Sequence, residues 1–462
     1  MKIKLEEPLY LNDIARAIGG CNLYAENPKI RYVTTDSRDC TVADLFFALP
    51  GEHTSGEEFA PAVNRAGAYA VTSRRIPGGC LLVADVAQAL LALGAFRKKS
   101  LSHLKKTIAI TGSVGKTTTK RMAAAILSVH GKVYMAPGNL NSRTGVPLSL
   151  LTAPADTEYL LLEFGMNHAG EIAELAGTYP PDIAVITNIG TAHIGNLGSR
   201  RAIADAKAEI TMGTSCVLVP AEEPLLSNIP GRHTVTTVAE SSEENVVNAD
   251  FILRQKENNM FTFLADGIMA DIFFPLHGED AISALAFSLS LGTLCGMKSE
   301  ELVAGVRRTG TELLRRTVRT VGGITLIDDS YNASPESVRA GLRNLQNTAG
   351  GKCVLLGDIL ELGRFTADIH RDIGASLPAY GVKKACFFGV YAPLYAEGAR
   401  RGGMKTEDIT VFTDTTRPEL AARALADCLH PADTLFCKAS HAVGLYRVVR
   451  EFIRITEGNE NV

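Results

Sequence analysis

One short segment constrains the fold more than any other part of the chain. The apolar run Thr107–Thr111 has the composition of a buried strand and leads directly into the glycine-rich sequence Gly112-Ser-Val-Gly-Lys-Thr-Thr118, which a helical pattern over Thr119–His130 follows. Such a turn places backbone N–H groups and the positive end of a helix around a phosphate. The segment therefore predicts a nucleoside triphosphate site in an α/β sheet.

The loop supplies the residue types that phosphate binding requires. Lys116 can reach the β- and γ-phosphates, and the Thr117 hydroxyl can hold Mg²⁺. The spacing is a variant of the common motif, because Ile110 stands where its first glycine is expected. The residues predicted to bind the nucleotide here are Gly112, Ser113, Val114, Gly115, Lys116, Thr117 and Thr118.

Hydrophobic periodicity predicts three α/β domains, at residues 1–104, 105–312 and 313–462. The first is small, with Asn12 predicted to cap a helix over Asp13–Ile18. The second alternates buried strands with helices, as in a parallel sheet covered on both faces, and residues 249–274 form an antiparallel patch within it. The third restarts the alternation and is predicted to be Rossmann-like.

Composition excludes several classes of protein. The 462 residues carry a net charge of −3, which gives no general attraction to nucleic acid. There is no apolar run long enough to span a membrane and no signal peptide, so we expect a cytoplasmic protein without membrane association. The nine cysteines are scattered, which argues against disulfides or a zinc site and favours mostly buried thiols.

Further motifs occur in order along the chain, and together with the phosphate loop they resemble the Mur ligases, ATP-dependent amide-forming enzymes of peptidoglycan assembly. The resemblance extends over about 400 residues. The motifs are Thr35-Asp-Ser-Arg38, Asp44-Leu-Phe-Phe-Ala-Leu-Pro-Gly-Glu52, Gly138-Asn-Leu-Asn141, Glu163-Phe-Gly-Met-Asn-His168, Thr187-Asn-Ile189, Ala206-Lys-Ala-Glu-Ile210, Asp328-Asp-Ser-Tyr-Asn-Ala-Ser-Pro335 and Gly357-Asp-Ile-Leu-Glu-Leu-Gly363.

The resemblance implies a reaction and its partners. ATP would phosphorylate a carboxylate, and an amine would attack the acyl phosphate. The motif beginning at Glu163 and the one ending at Gly363 point to the branch that adds D-alanyl-D-alanine to UDP-MurNAc-tripeptide. ATP and two Mg²⁺ ions are the implied cofactors. We expect a monomer that binds these small molecules and no nucleic acid.

The metal-binding and catalytic residues follow from chemistry and from the resemblance together. Glu163 ends a buried strand, where open α/β sheets place ligand groups, and is predicted to share one Mg²⁺ with Thr117. By resemblance, His193 ligates a second Mg²⁺, and Lys207 is carbamylated to position that ion. From its helical pattern alone, Lys207 is predicted to be a solvated lysine. Lys116 completes the predicted catalytic set.

The remaining predicted contacts lie on turns and strand ends. Asp329, Tyr331 and Asn332 follow a strand of the third domain and are predicted to hold ribose and adenine, while Arg315 or Arg316 is predicted to reach the γ-phosphate. The predicted substrate-binding residues are Ser37, Arg38, Asn139, Asn141, Lys438 and Ser440.

Three stretches depart from the family pattern. Asp280, Ala281 and Ala284 stand where the family has His and two Asn residues, and His441 replaces an arginine. In the first domain, Ser55-Gly-Glu-Glu58 replaces Asp-Gly-His-Asp. These changes leave two alternatives open: a Mur-like ligase for a different acid and amine, or a nucleotide-binding paralogue without catalysis.

Overall fold

The computed structural model describes residues 1–51, 54–214, 216–239, 249–275, 278–310 and 317–458. Three sheets follow one another along the chain. The mixed α/β class with parallel sheets is confirmed, whereas the three domain boundaries remain predictions. All nine cysteines are free thiols, and four of them are buried, fewer than expected.

The first sheet has six strands in the order β1-β3-β4-β5-β6-β2, with antiparallel pairs at both edges and parallel strands between them. β1 was not predicted, because its charge-rich sequence buries only Leu5. The elements are β1 (Lys2–Tyr10), α1 (Leu11–Ala17), β2 (Cys21–Asn22), β3 (Lys29–Thr34), β4 (Leu45–Phe47), α2 (Ala60–Arg65), β5 (Tyr69–Thr72), β6 (Leu81–Leu82) and α3 (Val86–Ser100).

The predicted cap of the first helix is wrong. α1 begins at Leu11, directly after β1, and its N-cap is Tyr10, which makes no side-chain capping bond. Asn12 is already inside the helix, and its Oδ1 accepts a hydrogen bond from Asn22 Nδ2 at 2.7 Å. The side chain therefore ties α1 to β2 instead of capping the helix.

The second sheet has nine strands in the order β15-β14-β13-β12-β11-β10-β7-β9-β8. The seven strands β7 to β13 form the parallel part of this sheet. The predicted antiparallel patch is confirmed, because β13 pairs with β14, and β14 with β15, in antiparallel orientation. The elements are β7 (Lys106–Thr111), α4 (Lys116–Leu127), β8 (Val133–Met135), α5 (Gly145–Leu150), β9 (Tyr159–Glu163), α6 (Glu171–Thr178), β10 (Ile183–Ile186), α7 (Ile194–Leu197), α8 (Arg200–Ala208), β11 (Val217–Pro220), β12 (Arg232–Ala239), β13 (Phe251–Gln255), β14 (Met260–Ala265), β15 (Ile268–Phe273), α9 (Glu279–Leu294) and α10 (Ser299–Arg307).

The third sheet has six strands in the order β16-β17-β21-β18-β19-β20, all parallel except the β16-β17 pair. The elements are β16 (Thr317–Val321), β17 (Ile324–Asp329), α11 (Pro335–Gln346), β18 (Lys352–Gly357), α12 (Thr366–Ser376), β19 (Val382–Phe388), α13 (Ala392–Arg401), β20 (Ile409–Phe412), α14 (Pro418–Cys428), β21 (Thr434–Lys438) and α15 (Tyr446–Glu457).

The sheets are joined by close packing. α3 attaches the first sheet to the second, since Tyr179 donates a hydrogen bond to the Leu91 carbonyl at 2.8 Å and a Cβ at Gly94 would lie 2.7 Å from the Tyr179 hydroxyl. The second and third sheets share one apolar cluster that includes Ile194 and Leu362. The carboxyl ends of β7, β9, β17 and β21 consequently face one cleft.

Candidate active site

The phosphate loop turns sharply between β7 and α4. Gly112 has φ +148°, and a Cβ there would lie 1.9 Å from Thr187 Oγ1, so no other residue fits without moving Thr187. Gly115 has φ +84° and is the N-cap of α4. The helix begins at Lys116, three residues before the predicted start at Thr119, because the left-handed Gly115 lets the chain enter the helix at once.

The loop is held from the neighbouring strand end. Asn188 Oδ1 accepts hydrogen bonds from the backbone N–H groups of Ser113 and Val114, at 3.0 and 2.9 Å. Thr187 Oγ1 donates to the Val114 carbonyl at 2.6 Å, and Lys116 Nζ donates to the Gly112 carbonyl at 2.7 Å. The residues after β10 therefore act as a brace for the phosphate loop.

Glu163 is the centre of a buried polar network. Its Oε2 accepts a hydrogen bond from Thr117 Oγ1 at 2.7 Å, and its Oε1 accepts one from Asn141 Nδ2 at 2.9 Å. Lys120 Nζ lies 3.3 Å from Oε2 and also donates to the Ala136 carbonyl at 2.8 Å. The network joins the phosphate loop to the 136–141 segment that carries the predicted substrate residues.

The charge of Glu163 is stabilised in spite of its burial. The side chains of Glu163 and Lys120 are each 1% exposed. Burial raises the pKa of Glu163, but the positive charges of Lys116 and Lys120 and the hydrogen bonds from Thr117 and Asn141 together bring that pKa below its usual value. An ionised carboxylate beside a threonine hydroxyl offers the hard oxygen ligands that Mg²⁺ prefers.

His193 lies where the second and third sheets meet. It has φ +64° and precedes α7, and its Nδ1 is 2.5 Å from Glu361 Oε2. The pKa of the Glu361 carboxyl is lowered mainly by this close contact with His193. The backbone of α7 joins the same contact, because Gly195 N donates to the Glu361 carbonyl at 2.9 Å.

Lys207 is buried, so the prediction of a solvated helix lysine, made from the residues alone, is wrong. Its side chain projects from α8 toward the cleft and is 2% exposed. Burial, and after it the positive charge of Lys116, lowers the pKa of Lys207 well below its usual value. Within the described part of the chain, no residue accepts a hydrogen bond from its amine. The alanine-rich helix sequence gave no sign of this burial.

The third sheet supplies the opposite wall of the cleft. Asp329 and Lys438 are register partners at the ends of β17 and β21, and their side chains pair at 2.5 Å. The rings of Tyr331 and His441 are 5.2 Å apart. Ser440 Oγ accepts a hydrogen bond from the Leu360 backbone at 3.0 Å. Lys438 therefore pairs with a predicted ribose-binding residue in addition to lining the predicted substrate side.

Most of the predicted site residues meet in this one cleft, whose volume is about 530 Å³. It lies between the second and third sheets. The predicted residues that line it are Ser113, Val114, Gly115, Lys116, Thr117, Thr118, Asn139, Asn141, Glu163, His193, Lys207, Asp329, Tyr331, Asn332, Lys438 and Ser440.

The other predicted residues lie elsewhere. Gly112 is next to the cleft and shapes the loop. Ser37 and Arg38 are in a short 3-10 turn of the first sheet, where Arg38 pairs with Asp36, and neither lines the cleft. Arg315 and Arg316 fall outside the described residues.

Four residues that depart from the family pattern divide between the cleft and the core, whereas residues 55–58 of the first sheet lie in neither. Asp280, Ala281 and His441 line the cleft. Ala281 and Ala284 are each 1% exposed and belong to the apolar cluster of the second sheet. The loss of two amide side chains therefore leaves closely packed alanines at the start of α9.

Three contributors to the site were missed in the sequence. Lys120 follows Lys116 by one helical turn, and that spacing is a signal for a second lysine on the same face. Asn188 and Glu361 were recognised only as parts of motifs. No local pattern shows that Asn188 braces the phosphate loop or that Glu361 meets His193, because both contacts span long stretches of chain.

Two family models match the chain. The model of the Mur ligase middle domain matches residues 110–291, and that of the Mur ligase, glutamate ligase domain matches residues 315–441. A Bacillus subtilis (strain 168) protein named UDP-N-acetylmuramoyl-tripeptide–D-alanyl-D-alanine ligase is 32% identical over 460 residues, covering 96% of this chain and 98% of the relative. The chain belongs to the Mur ligase family.

Solved Mur ligase structures agree with this assignment over the full length. A crystal structure of MurF from Acinetobacter baumannii superposes with a TM-score of 0.84 at 27% identity, covering 98% of this chain and all of that one. A MurF ligase from Thermotoga maritima in complex with ADP gives a TM-score of 0.77 at 26% identity, covering 92% of this chain and 98% of that one. This Mur ligase is therefore a MurF-type, ATP-dependent peptide ligase of peptidoglycan synthesis, as the sequence predicted.

Among the described residues, every helix is too short or too polar to cross a bilayer. The described residues also hold no group of three or more His, Cys, Asp and Glu side chains that could bind a metal ion by itself. A metal in the cleft would consequently need other ligands, such as the Thr117 hydroxyl or the nucleotide phosphates.

Proposed function

We propose that this Mur ligase joins D-alanyl-D-alanine to UDP-MurNAc-tripeptide with the consumption of ATP. The observation that carries the proposal is the end-to-end similarity to relatives named for that reaction, at 32% identity over 96% of this chain. The cleft supports it chemically, since a phosphate loop, a buried carboxylate and a buried lysine face the same space. A cytoplasmic monomer is part of the same proposal.

The reaction brings two anions together. An acceptor carboxylate oxygen attacks the γ-phosphorus of ATP, ADP leaves, and an acyl phosphate forms. The amine of the dipeptide then attacks the acyl carbon and expels phosphate. Because nucleophile and nucleotide are both negative, the main task of the protein is to neutralise charge in a fixed geometry. Lys116 is suited to this task, since its ammonium lies at the phosphate loop.

Thr117 at the start of α4 and Glu163 at the end of β9 suit one Mg²⁺ ion. Thr117 Oγ1 and Glu163 Oε2 are already in contact at 2.7 Å, and Glu163 is ionised. Thr117 and Glu163 would hold the ion, and a bound Mg²⁺ supplies positive charge at the β- and γ-phosphates. Asn141 and Lys120 orient the carboxylate, so the ligand oxygens are positioned before the ion arrives.

A second Mg²⁺ suits the site only if Lys207 is modified. An amine is a poor ligand for Mg²⁺, whereas a carbamate offers two oxygens. The lowered pKa of Lys207 favours the neutral amine, whose nitrogen can add to CO₂ with loss of one proton. The carbamate would bring a negative charge to a buried position near Lys116. With His193 at the edge of the same cleft, Lys207 and His193 would hold that ion.

Carbamylation has a direct test. Wild-type protein incubated with isotopically labelled bicarbonate should give a carbamate carbon resonance, and Lys207→Arg should remove it, because a guanidinium does not form the adduct. Lys98→Arg is the matched control, since Lys98 is a partly buried lysine whose pKa is also lowered by burial but which lies outside the cleft. A resonance that survives Lys207→Arg would contradict the proposal.

The substrate contacts are proposed to be divided among the three sheets. Asn141 contacts Glu163, and Asn139 lines the same cleft; both are proposed to contact the acceptor. Lys438 and Ser440, in the third sheet, are proposed to contact the amine or the peptide to which it is joined. Ser37 and Arg38, in the first sheet and outside the cleft, are proposed to bind the nucleotide-sugar end of the acceptor. Asp329, Tyr331 and Asn332, which line the cleft, are proposed to hold ribose and adenine. Arg316 is proposed to reach the γ-phosphate.

The deciding experiment measures phosphate release from ATP by the purified protein. UDP-MurNAc-tripeptide, D-alanyl-D-alanine and Mg²⁺ are each omitted in turn, and product mass is recorded. We expect release only in the complete mixture, with a product heavier by the dipeptide. Release that requires the tripeptide but accepts another amine would favour the alternative of a different substrate pair, for which the replacement at His441 on the cleft wall is the motivating observation.

A further inference from the structure

A chain of contacts leads from α11 of the third sheet to the phosphate loop of the second. Glu336 lies in the first turn of α11. Its Oε1 accepts two hydrogen bonds from Thr191, one from the backbone N–H and one from Oγ1, both at 2.7 Å. Thr191 belongs to the segment after β10 that braces the phosphate loop. The third sheet is therefore fastened directly to that brace.

The next link reaches the loop itself. The backbone N–H of Gly190 donates a hydrogen bond to Ser113 Oγ at 2.9 Å. Ser113 N in turn donates to Asn188 Oδ1 at 3.0 Å. Residues 188–191 thus contact Ser113 on one side and Glu336 on the other.

Gly190 is enclosed between the two partners. A Cβ at this position would lie 2.7 Å from Glu336 Cδ and 3.0 Å from Ser113 Cβ. Such packing transmits displacement, because a shift of the Glu336 side chain leaves Gly190 without one of its walls. The position of α11 and the shape of the phosphate loop are consequently linked.

The chemistry of Glu336 argues against a purely stabilising contact. Its Oε2 is buried, and among the described residues none donates a hydrogen bond to it. A buried carboxylate oxygen without a donor is unfavourable for folding. The two hydrogen bonds from Thr191 hold the side chain in this place, and its acceptor oxygen, not its charge, is what links α11 to the segment after β10.

We propose that Glu336 is a positioning residue that couples docking of the third sheet to the shape of the phosphate loop. When the third sheet is docked, Glu336 fixes the positions of Thr191 and Gly190. Gly190 in turn fixes the position of Ser113, which faces the nucleotide. Because coupling between two sites is reciprocal, bound nucleotide stabilises the docked arrangement to the same extent. The inference rests on the proposed function only in requiring a nucleotide at the phosphate loop.

The same helix provides a matched control. Arg343 of α11 also crosses to the second sheet, where its Nη2 donates to Glu279 Oε2 at 2.6 Å. This pair is exposed, with side chains 44% and 70% accessible, and it does not contact residues 188–191. Exposed ion pairs contribute little, so Arg343→Ala removes an inter-sheet contact without disturbing the relay.

The experiment is calorimetric titration of Mg²⁺ and a slowly hydrolysed ATP analogue into three variants. Glu336→Ala should weaken binding about tenfold, within the range usual for coupled sites. Arg343→Ala should change it less than about twofold. Glu336→Gln keeps an acceptor for Thr191 and should recover most of the affinity. Hydrogen exchange at residues 112–119 should rise in Glu336→Ala alone.

Several outcomes would overturn the inference. Equal affinities of Glu336→Ala and the unaltered protein would do so, as would an equal loss in Arg343→Ala. Failure of the unaltered protein to bind the analogue would overturn the proposed function as well. Equal affinities of Glu336→Ala and the unaltered protein would overturn this inference alone, so the two failures are distinguishable. If Glu336→Ala does not fold, Thr191→Val removes only the hydroxyl donor. It should weaken binding by about threefold, less than Glu336→Ala, because the Thr191 backbone N–H still donates to Glu336; unchanged affinity would again overturn the relay.

Discussion

Two buried carboxylates lie at the ends of parallel strands in different sheets, and their pKa values are shifted in opposite directions. Glu163 ends β9 of the second sheet, and its pKa is lowered. Asp358 directly follows β18 of the third sheet, and burial raises its pKa to about 6. Asp358 accepts hydrogen bonds from the backbone N–H groups of Val390 and Tyr391, but no lysine lowers its pKa.

The difference shows what makes a strand-end carboxylate useful. Burial disfavours the charged form of both side chains. Only Glu163 has Lys116 and Lys120 near enough to reverse the effect. Asp358 instead fixes the backbone before α13, which is a structural task. A buried carboxylate that binds a metal ion therefore needs positively charged side chains nearby to stay ionised. For Glu163, these are Lys116 and Lys120.

Replacement of the metal-side carboxylate should have the largest effect. Glu163→Gln removes the negative charge proposed to hold Mg²⁺, and we expect kcat for phosphate release to fall about a thousandfold. Asp358→Asn is the control and should change kcat less than about threefold, because Asp358 does not line the cleft. Similar losses in both variants would show that the two carboxylates do not differ in role.

The lysine beside Glu163 should matter next, for stability. Lys120→Met leaves the carboxylate buried with one cation fewer, and removal of one partner of a buried pair costs about 3 kcal/mol of unfolding free energy. Lys105→Met breaks the more exposed pair with Glu158 and should cost less than about 1 kcal/mol. Urea denaturation of both variants measures the difference. Equal costs would contradict the buried-pair argument.

The raised pKa of Asp358 predicts a pH dependence of stability. Between its ordinary value of 3.8 and the folded value of about 6, the folded state binds more protons than the unfolded state. Stability from this group is thus complete below 3.8 and is lost as pH rises through 6. With allowance for partial hydration, the loss is about 2 kcal/mol. Asp358→Asn should remove it, as followed by urea midpoints from pH 4 to 7. An unchanged pH profile in that variant would reject the assignment.

The smallest effect is expected at the exposed wall of the third sheet. Tyr331 is 38% exposed and faces His441. Tyr331→Ala should raise KM for ATP about fivefold and leave kcat nearly unchanged, since an aromatic contact is worth about 1 kcal/mol. Tyr446→Ala, on the far side of His441 and outside the cleft, is the control. A larger effect in Tyr446→Ala would place the nucleotide contact elsewhere.

Local patterns predicted the elements that carry chemistry better than the edges of the sheets. The strand, loop and helix around Lys116 were predicted because glycine and lysine at that spacing have one structural use. Strands β1, β2, β12 and β16 were missed. Their sequences mix charged or polar residues with apolar ones, and they form strands because they pair with neighbouring strands.

Site residues that depend on long-range packing were harder to predict. The burial of Lys207 is set by how α8 packs against α6 and α7 at the edge of the cleft, and nothing in its alanine-rich surroundings indicates that. Glu336 was likewise one charged residue in the first turn of a helix, which is a common place for an acidic side chain. Its contact with Thr191 exists only because two sheets far apart in sequence meet at the cleft.

The close approach of Gly112 to Thr187 limits how this site can evolve. Any side chain at 112 would overlap Thr187 Oγ1, and Thr187 cannot simply be replaced because it holds the Val114 carbonyl. Gly112 therefore cannot be replaced while Thr187 Oγ1 keeps its present place. Because both residues are buried, a larger side chain at 112 requires a smaller one at 187, so the two positions are expected to vary together.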